Sequence, residues 1–229
     1  MAIGKVKEAQ AEMAAPKPVR KRTRSLSQEL RNQATRMKLL EAAGRVIGKY
    51  GYANCTISRV TARAKIAHGT FYLHFQSQQH LFDNILPVLG SRMLLFIGDA
   101  LRDSDDVLDL ERRGFAATFA YLVEHPYMVR VTEEAAFFAP EAYRQHIDDM
   151  VAGYARSLLR SRIGTQLEDF RPDELPMLAH LLIGARFQML WQYRRENKID
   201  AMPPADIVET YIKFISHGIL GDRSGIARR

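Results

Sequence analysis

Residues 55–75 read CTISRVTARAKIAHGTFYLHF, and the spacing of their apolar residues predicts two short helices around a tight break. Thr56 is placed to cap the first, because its side-chain oxygen accepts from a backbone N–H that a helix start leaves free. Ile57, Val60 and Ala64 give that helix one apolar face over barely two turns. Lys65-Ile66-Ala67 break it, and Phe71 and Phe75 anchor a second helix from about Gly69 to Phe75. Helices this short do not hold alone in water, so both need a support. Leu39, Ala43, Ile47 and Tyr50, recurring at helical spacing until Gly51, supply one. This is the pattern of a helix-turn-helix, whose second helix enters the DNA major groove. The alternative at this level is an ordinary αα-hairpin inside a helical bundle.

The faces not needed for packing carry chemistry. Thr70, Tyr72 and His74 lie off the Phe71/Phe75 face and end in hydrogen-bonding groups suited to base edges and phosphates. Arg59 and Arg63, four apart, share a face of the preceding helix and are placed to meet phosphates. Charge is distributed to match. Residues 1–90 hold 15 Lys/Arg against 5 Asp/Glu, whereas residues 91–229 carry a net charge of −3, so the overall +7 sits in the first third. Such asymmetry points to an anionic partner for that part, nucleic acid ahead of a membrane surface. Residues 1–25 lack a sustained apolar period and end in the basic run from Lys17 to Arg24. They read as a disordered basic arm that either follows DNA or is a loose leader.

Residues 33–86 resemble the DNA-binding domain of TetR/AcrR-family regulators. The run Gly69-Thr70-Phe71-Tyr72-x-His74-Phe75 is the most specific part, with Thr56, Val60, Ala64, Ile66, Ala67 and Leu81 in step. The resemblance implies that Thr56 holds a phosphate at a helix N-terminus. It places Ser58 and Arg59 at the groove edge and turns His68, Gly69, Thr70, Tyr72 and His74 toward DNA, with Phe71 and Phe75 in the core. Two positions depart from the family pattern. Lys65 stands where a turn glycine is usual, which implies a slightly altered turn. Gln78 stands where a phosphate-binding Lys is usual; it can donate a hydrogen bond but brings no charge.

Everything beyond residue 76 also reads as helix. Leu81, Phe82, Ile85, Leu86 and Leu89 start a stripe that runs to about residue 101, bent at Pro87. Prolines or aspartates then mark helix starts, giving helices near 107–124, 126–138, 140–163, 173–197 and 204–219, about nine in all. No two-residue alternation or hairpin signal is present. The expected fold is all-α: a basic arm (1–25), an N-terminal three-helix helix-turn-helix DNA-binding domain (26–86), a C-terminal helical ligand-binding and dimerisation domain (87–222) and a tail (223–229).

By the same resemblance, helices 173–197 and 204–219 are the candidates for a four-helix dimer interface about a twofold axis. Leu178, Leu181, Leu182, Ala185, Met189 and Gln192 offer one face, and Ile207, Tyr211, Phe214 and Ile215 another. The alternative is that these faces close the chain's own core. Phe115, Phe119, Phe137, Tyr143, His146, Met150, Arg186 and Phe187 are the candidate ligand-binding residues, with core packing the alternative for each aromatic. Arg186, set among apolar residues, needs a partner: Glu133, Glu134, a carboxylate across the dimer, or a ligand carboxylate. An apolar pocket with one cation suits a fatty-acid-like amphiphile.

No zinc spacing, phosphate-binding glycine loop or catalytic constellation emerges, so neither an enzyme nor a cofactor is expected. The single cysteine, Cys55, excludes an intrachain disulfide and fits a reducing cytoplasm. The apolar stretch Val88–Ile97 is broken by Arg92, so no membrane span or signal peptide is expected. These features point to a cytoplasmic homodimeric transcriptional regulator, a repressor by family habit. It binds an inverted-repeat operator in double-stranded DNA and is released by a small, largely apolar effector. The competing function is a ligand-binding or adaptor protein of the same fold without sequence-specific DNA binding.

Overall fold

The long first helix organises the N-terminal third. Helix α1 (Arg20–Tyr50) buries Leu39, Leu40, Ala43, Val46 and Ile47. Onto them pack α2 (Ile57–Ala64), α3 (His68–Phe71) and α4 (Gln78–Ile85), through Val60, Phe71, Phe75, Leu81 and Ile85. The computed structural model describes residues 20–104, 106–160, 167, 170–196 and 205–219. The expected arm therefore falls mainly outside the described residues, as does the tail, but its end does not. The helix already runs from Arg20, although residues 26–34 are exposed and bury no face. The stretch after Pro18 holds neither proline nor glycine up to Gly44 and is rich in Arg, Gln and Leu. Once the packed half of α1 has formed, adding such residues to its end needs no new nucleus. A Gln28–Asn32 side-chain hydrogen bond adds to it.

The second half is built from α5 (Ser91–Ala100), α6 (Val107–Glu124), α7 (Tyr127–Phe138), α8 (Pro140–Leu158), α9 (Leu175–Glu196) and α10 (Ala205–Gly218). A π-helical turn, Leu86–Gly90, joins α4 to α5 and contains Pro87 at the expected bend. Counting Gln78–Ala100 as one bent helix, the described residues hold nine helices and no strand. Asp106 caps α6 by accepting from Asp109 N at 2.7 Å, and Pro140 opens α8. Phe115, Phe119, Leu122, Val131, Leu158, Leu182 and Ile215 form the core. The run Gln78–Ala100 is, by length and composition, apolar enough to cross a membrane, which the Arg92 interruption had not led us to expect. Its Leu81, Phe82, Ile85, Leu86, Leu89 and Met93 are instead packed against α1, α7 and α8.

The two halves are tied through α7. Gly44 and Gly48 let Tyr127 lie on α1: a Cβ at Gly48 would come within 2.5 Å of Tyr127 Cβ. Gly51, at φ +80°, turns the chain beneath Arg130, and Glu134 accepts from Tyr52 N at 2.8 Å. The Tyr52 ring stacks on Phe138 with centroids 5.4 Å apart.

Candidate nucleic-acid interface

Thr56 caps α2 by accepting from Arg59 N at 3.3 Å. The break after α2 is left-handed at Lys65 (φ 55°, ψ 46°), so the turn keeps the conformation a glycine would give it. The expected alteration there is absent. Helix α3 is one turn, His68–Phe71, and ends four residues before the expected Phe75. Beyond it the chain continues in hydrogen-bonded turns, with His74 N and Phe75 N both donating to Phe71 O. Phe71 and Phe75 are buried as expected.

The residues around this turn divide into exposed and anchored. Ser58, His68 and Gly69 are exposed, Tyr72 is exposed with its ring 5.8 Å from that of His68, and Thr70 and Gln78 are half-buried. His74 shares the half-buried setting of Thr70 and Gln78. Its carbonyl accepts from Arg36 Nη1 at 3.1 Å, and burial, with the Arg36 charge, holds its pKa below the usual imidazole range. Directly opposite Phe71 and Phe75 stand Gly69 and Leu73, not the Thr70, Tyr72 and His74 of the sequence expectation. With 3.6 residues per turn, those three fall on the flanks. Arg36 passes under the Phe75 ring at 4.5 Å and donates to Asn84 Oδ1 at 2.6 Å, pinning α1, the α3 turn and α4 together.

The electrostatics are one-sided. Residues 42–82 contain five Lys/Arg and no Asp/Glu. Arg59 donates to Asn54 O at 2.7 Å, and its guanidinium lies 4.8 Å from the centre of the Tyr50 ring. Lys49 lies 5.0 Å from the same ring. Lys49, Arg59 and Arg63 together draw the Tyr50 pKa down, Lys49 most. Lys49 and Tyr50 were missed because sequence periodicity placed Tyr50 as a helix-end core residue; only the fold brings it beside Arg59. On α1, Arg31, Lys38, Arg45 and Lys49 are exposed and share one side, the first three at seven-residue spacing. Among the described residues none of them joins an ion pair. Ser58, Arg59, His68 and Tyr72 offer exposed hydrogen-bonding groups and a cation at α2 and α3, and residues 42–82 bring no acid, which is what a phosphate backbone and a groove require.

A cavity of about 530 Å³ lies in the second half, between α5, α6, α8 and α9. Leu94, Leu95, Ile97, Met150, Ile183, Phe187 and Leu190 give it apolar walls, and Thr118, Tyr154 and Arg186 bring polar groups. Of the candidate ligand residues, Met150, Arg186 and Phe187 line it. Phe115 and Phe119 stack on each other in the core at 4.9 Å, beside Tyr211. His146 is buried against Gly90, Tyr143 is half-buried, and Phe137 is 85% exposed at the end of α7. The α5 lining was missed because its apolar residues read as one continuous core stripe. Arg186 has its partner within the chain, at Glu111, rather than Glu133, Glu134 or a second copy. Glu111 lies in the first turns of α6 and faces inward at 0% exposure, a burial that its sequence neighbourhood does not signal. Cys55 is fully buried, and burial pushes its thiol pKa up to about 12, which keeps it protonated and unreactive.

Comparison with known proteins agrees with the geometry. Residues 39–85 match the family model for bacterial regulatory proteins of the tetR family. The HTH-type transcriptional regulator YhgD of Bacillus subtilis is 23% identical over 181 residues, spanning 76% of this chain and 92% of its own length. The fold is similar to that of the fatty acid degradation regulator FadR from Bacillus halodurans, with a TM-score of 0.65 at 14% identity over 79% of this chain and 93% of that one. It is also similar to FadR from Bacillus subtilis in complex with stearoyl-CoA, with a TM-score of 0.60 at 12% identity over 82% of this chain and 99% of that one.

Proposed function

We infer, from residues 39–85 matching the DNA-binding tetR-family model and from a fold similar to that of FadR regulators, a homodimeric repressor of an inverted-repeat operator. The observation that carries this is the exposed helical turn of α3 within the acid-free stretch 42–82, with Thr56, Ser58, Arg59, His68, Gly69, Thr70, Tyr72, His74 and Gln78 as the DNA-facing residues. The backbone carbonyl of His74 also holds that turn to Arg36. Two such turns in a dimer reach successive major grooves when they sit roughly 34–36 Å apart.

The dimer forms through α9 and α10. Part of each expected face is used inside the chain: Leu178, Leu182, Tyr211 and Ile215 are buried, and Ala185, Met189 and Ile207 are half-buried against the core. The rest is exposed. Leu181 at 64% and Phe214 at 66% lie outside, and Met177 and Trp191 extend the α9 stripe. Gly184, in the same stripe, has open space where a Cβ would stand, which suits close approach of a second helix. These exposed apolar residues on adjoining helices are what a twofold four-helix interface covers.

The effector is an amphiphile with a long apolar chain, held in the cavity between α5 and α9. The apolar walls and the volume fit, and the similarity to a FadR crystallised with stearoyl-CoA supports the class. Release requires that the ligand bind the DNA-competent dimer more weakly than the other state.

The test is selection of bound sequences from random duplex DNA by the purified chain at physiological salt. Enrichment of an inverted repeat is expected, and Thr70→Ala should weaken binding to it. Salt-sensitive binding with no enriched sequence would overturn the operator reading and favour the adaptor. Stearoyl-CoA is then titrated into free and operator-bound protein; equal affinity for the two would sink the effector reading.

A further inference from the structure

We propose that Leu73 reads a thymine methyl group in each half of the operator. This rests on the function proposed above and concerns the specificity of the same surface.

Phe71 and Phe75 are at most 1% exposed, which fixes the outward side of the turn that carries them. Leu73 N donates to Thr70 O at 3.2 Å, so the helical path continues through Leu73 after α3 ends. Leu73 thus stands at the crest of the turn, four residues beyond Gly69 and flanked by Thr70 and Tyr72. It is 81% exposed, against 53% for Tyr72 beside it.

Neither crest residue is explained by the protein alone. A Cβ at Gly69 would meet nothing within 4 Å, and among the described residues the positive-φ glycine is Gly51, not Gly69. No packing and no backbone conformation demands glycine there, and glycine weakens a helical turn. Leu73 leaves its apolar surface in water. A partner that approaches the backbone closely at Gly69 and offers an apolar group one turn later accounts for both. The surrounding cations and the absence of Asp/Glu from residues 42–82 make that partner a polyanion. Along the major groove, base edges offer donors, acceptors and a single apolar group, the C5 methyl of thymine. Leucine cannot hydrogen-bond, so that methyl is the feature it can recognise.

The experiment uses the full chain and its selected operator, with each thymine replaced in turn by deoxyuridine. The base pair is unchanged and only the methyl is lost. One position per half-site is expected to weaken wild-type binding roughly fourfold, the factor that burying one methyl supplies. Leu73→Ala should bind the thymine and uracil operators equally, and Leu73→Met, which keeps an apolar reach, should retain the difference. Both variants should melt at the wild-type temperature. A wild type indifferent to every replacement, or a loss of equal size in Leu73→Ala, would overturn the assignment while leaving operator binding intact. If selection enriches no sequence at all, the operator function and this assignment both fall.

Discussion

Arg186 Nη2 donates to Glu111 Oε2 at 2.6 Å, deep between α9 and α6, and the Tyr211 hydroxyl of α10 donates to the same oxygen at 2.6 Å. Arg186 also donates to the Tyr154 hydroxyl of α8 at 2.6 Å, and Gly114 leaves room for the guanidinium. Burial works against the Arg186 charge, and Glu111 and Tyr211 more than offset it. One buried ion pair thus joins the cavity wall to both proposed dimer helices. Removing one partner leaves an uncompensated charge, so Arg186→Met should cost about 3–5 kcal/mol. Replacing both, as Arg186→Met with Glu111→Leu, should recover most of that loss. Urea unfolding of the wild type and the two variants checks it; a double variant no better than Arg186→Met would show that packing, rather than charge, sets the cost.

Lys65 holds the left-handed turn between α2 and α3 at φ 55°, and its N–H donates to Ala62 O at 3.2 Å. A side chain in this region crowds its own backbone, at a cost of about 1 kcal/mol that glycine avoids. The greater freedom of glycine in the unfolded chain takes part of that back. Lys65→Gly should therefore stabilise the protein by about 0.5 kcal/mol, read as a raised thermal midpoint. Its operator affinity should fall modestly, and less so at high salt, because one of the five cations of residues 42–82 is lost while the turn keeps the conformation glycine prefers.

That turn also marks the limit of what could be read in the chain. Helices α6 to α10 were legible because Asp106, Pro126, Pro140 and Pro204 punctuate long apolar-periodic stretches. Thr56 and the paired phenylalanines located the helix-turn-helix for the same reason: local signals with strong geometry. The forward extension of α1 was not legible, since Leu26 and Leu30 bury nothing and helicity there follows from propensity and attachment. Nor was the Arg186 partner, which lies 75 residues away in sequence and is chosen by tertiary packing. Leu73 was passed over because an apolar residue beside Phe71 and Phe75 reads as core until its direction is known.

Gly69 separates folding from binding. With open space at its Cβ and no positive φ, Gly69→Ala should fold normally and gain up to about 1 kcal/mol of stability from helix propensity. If DNA approaches the backbone there, the added methyl group should weaken operator binding by about tenfold, or about 1.4 kcal/mol. Thermal melts and operator titrations on the same preparation decide it. A variant that is stable and binds like wild type would remove Gly69 from the interface.

His146 couples pH to the joint between the two halves. It is buried on α8 with its ring against Gly90 in the π-helical turn; a Cβ at Gly90 would come within 2.6 Å of Nδ1. Burial lowers its pKa from the usual 6.5, with Asp149 pulling weakly the other way. Burial also lowers the pKa values of His74 and His125. For such groups the unfolded chain takes up protons before the folded one does. Stability is therefore fully present above the unfolded value, near pH 6.5, and is lost as pH falls toward the depressed folded values. The thermal midpoint should be flat above about pH 7 and drop as pH falls below about 6.5. In His146→Gln the glutamine cannot titrate, so part of that drop should disappear, even though the midpoint at neutral pH is lowered by the poorer fit against Gly90. Parallel midpoint–pH curves for the two proteins would show that the imidazole at 146 contributes nothing to the acid sensitivity, leaving His74 and His125 to account for it.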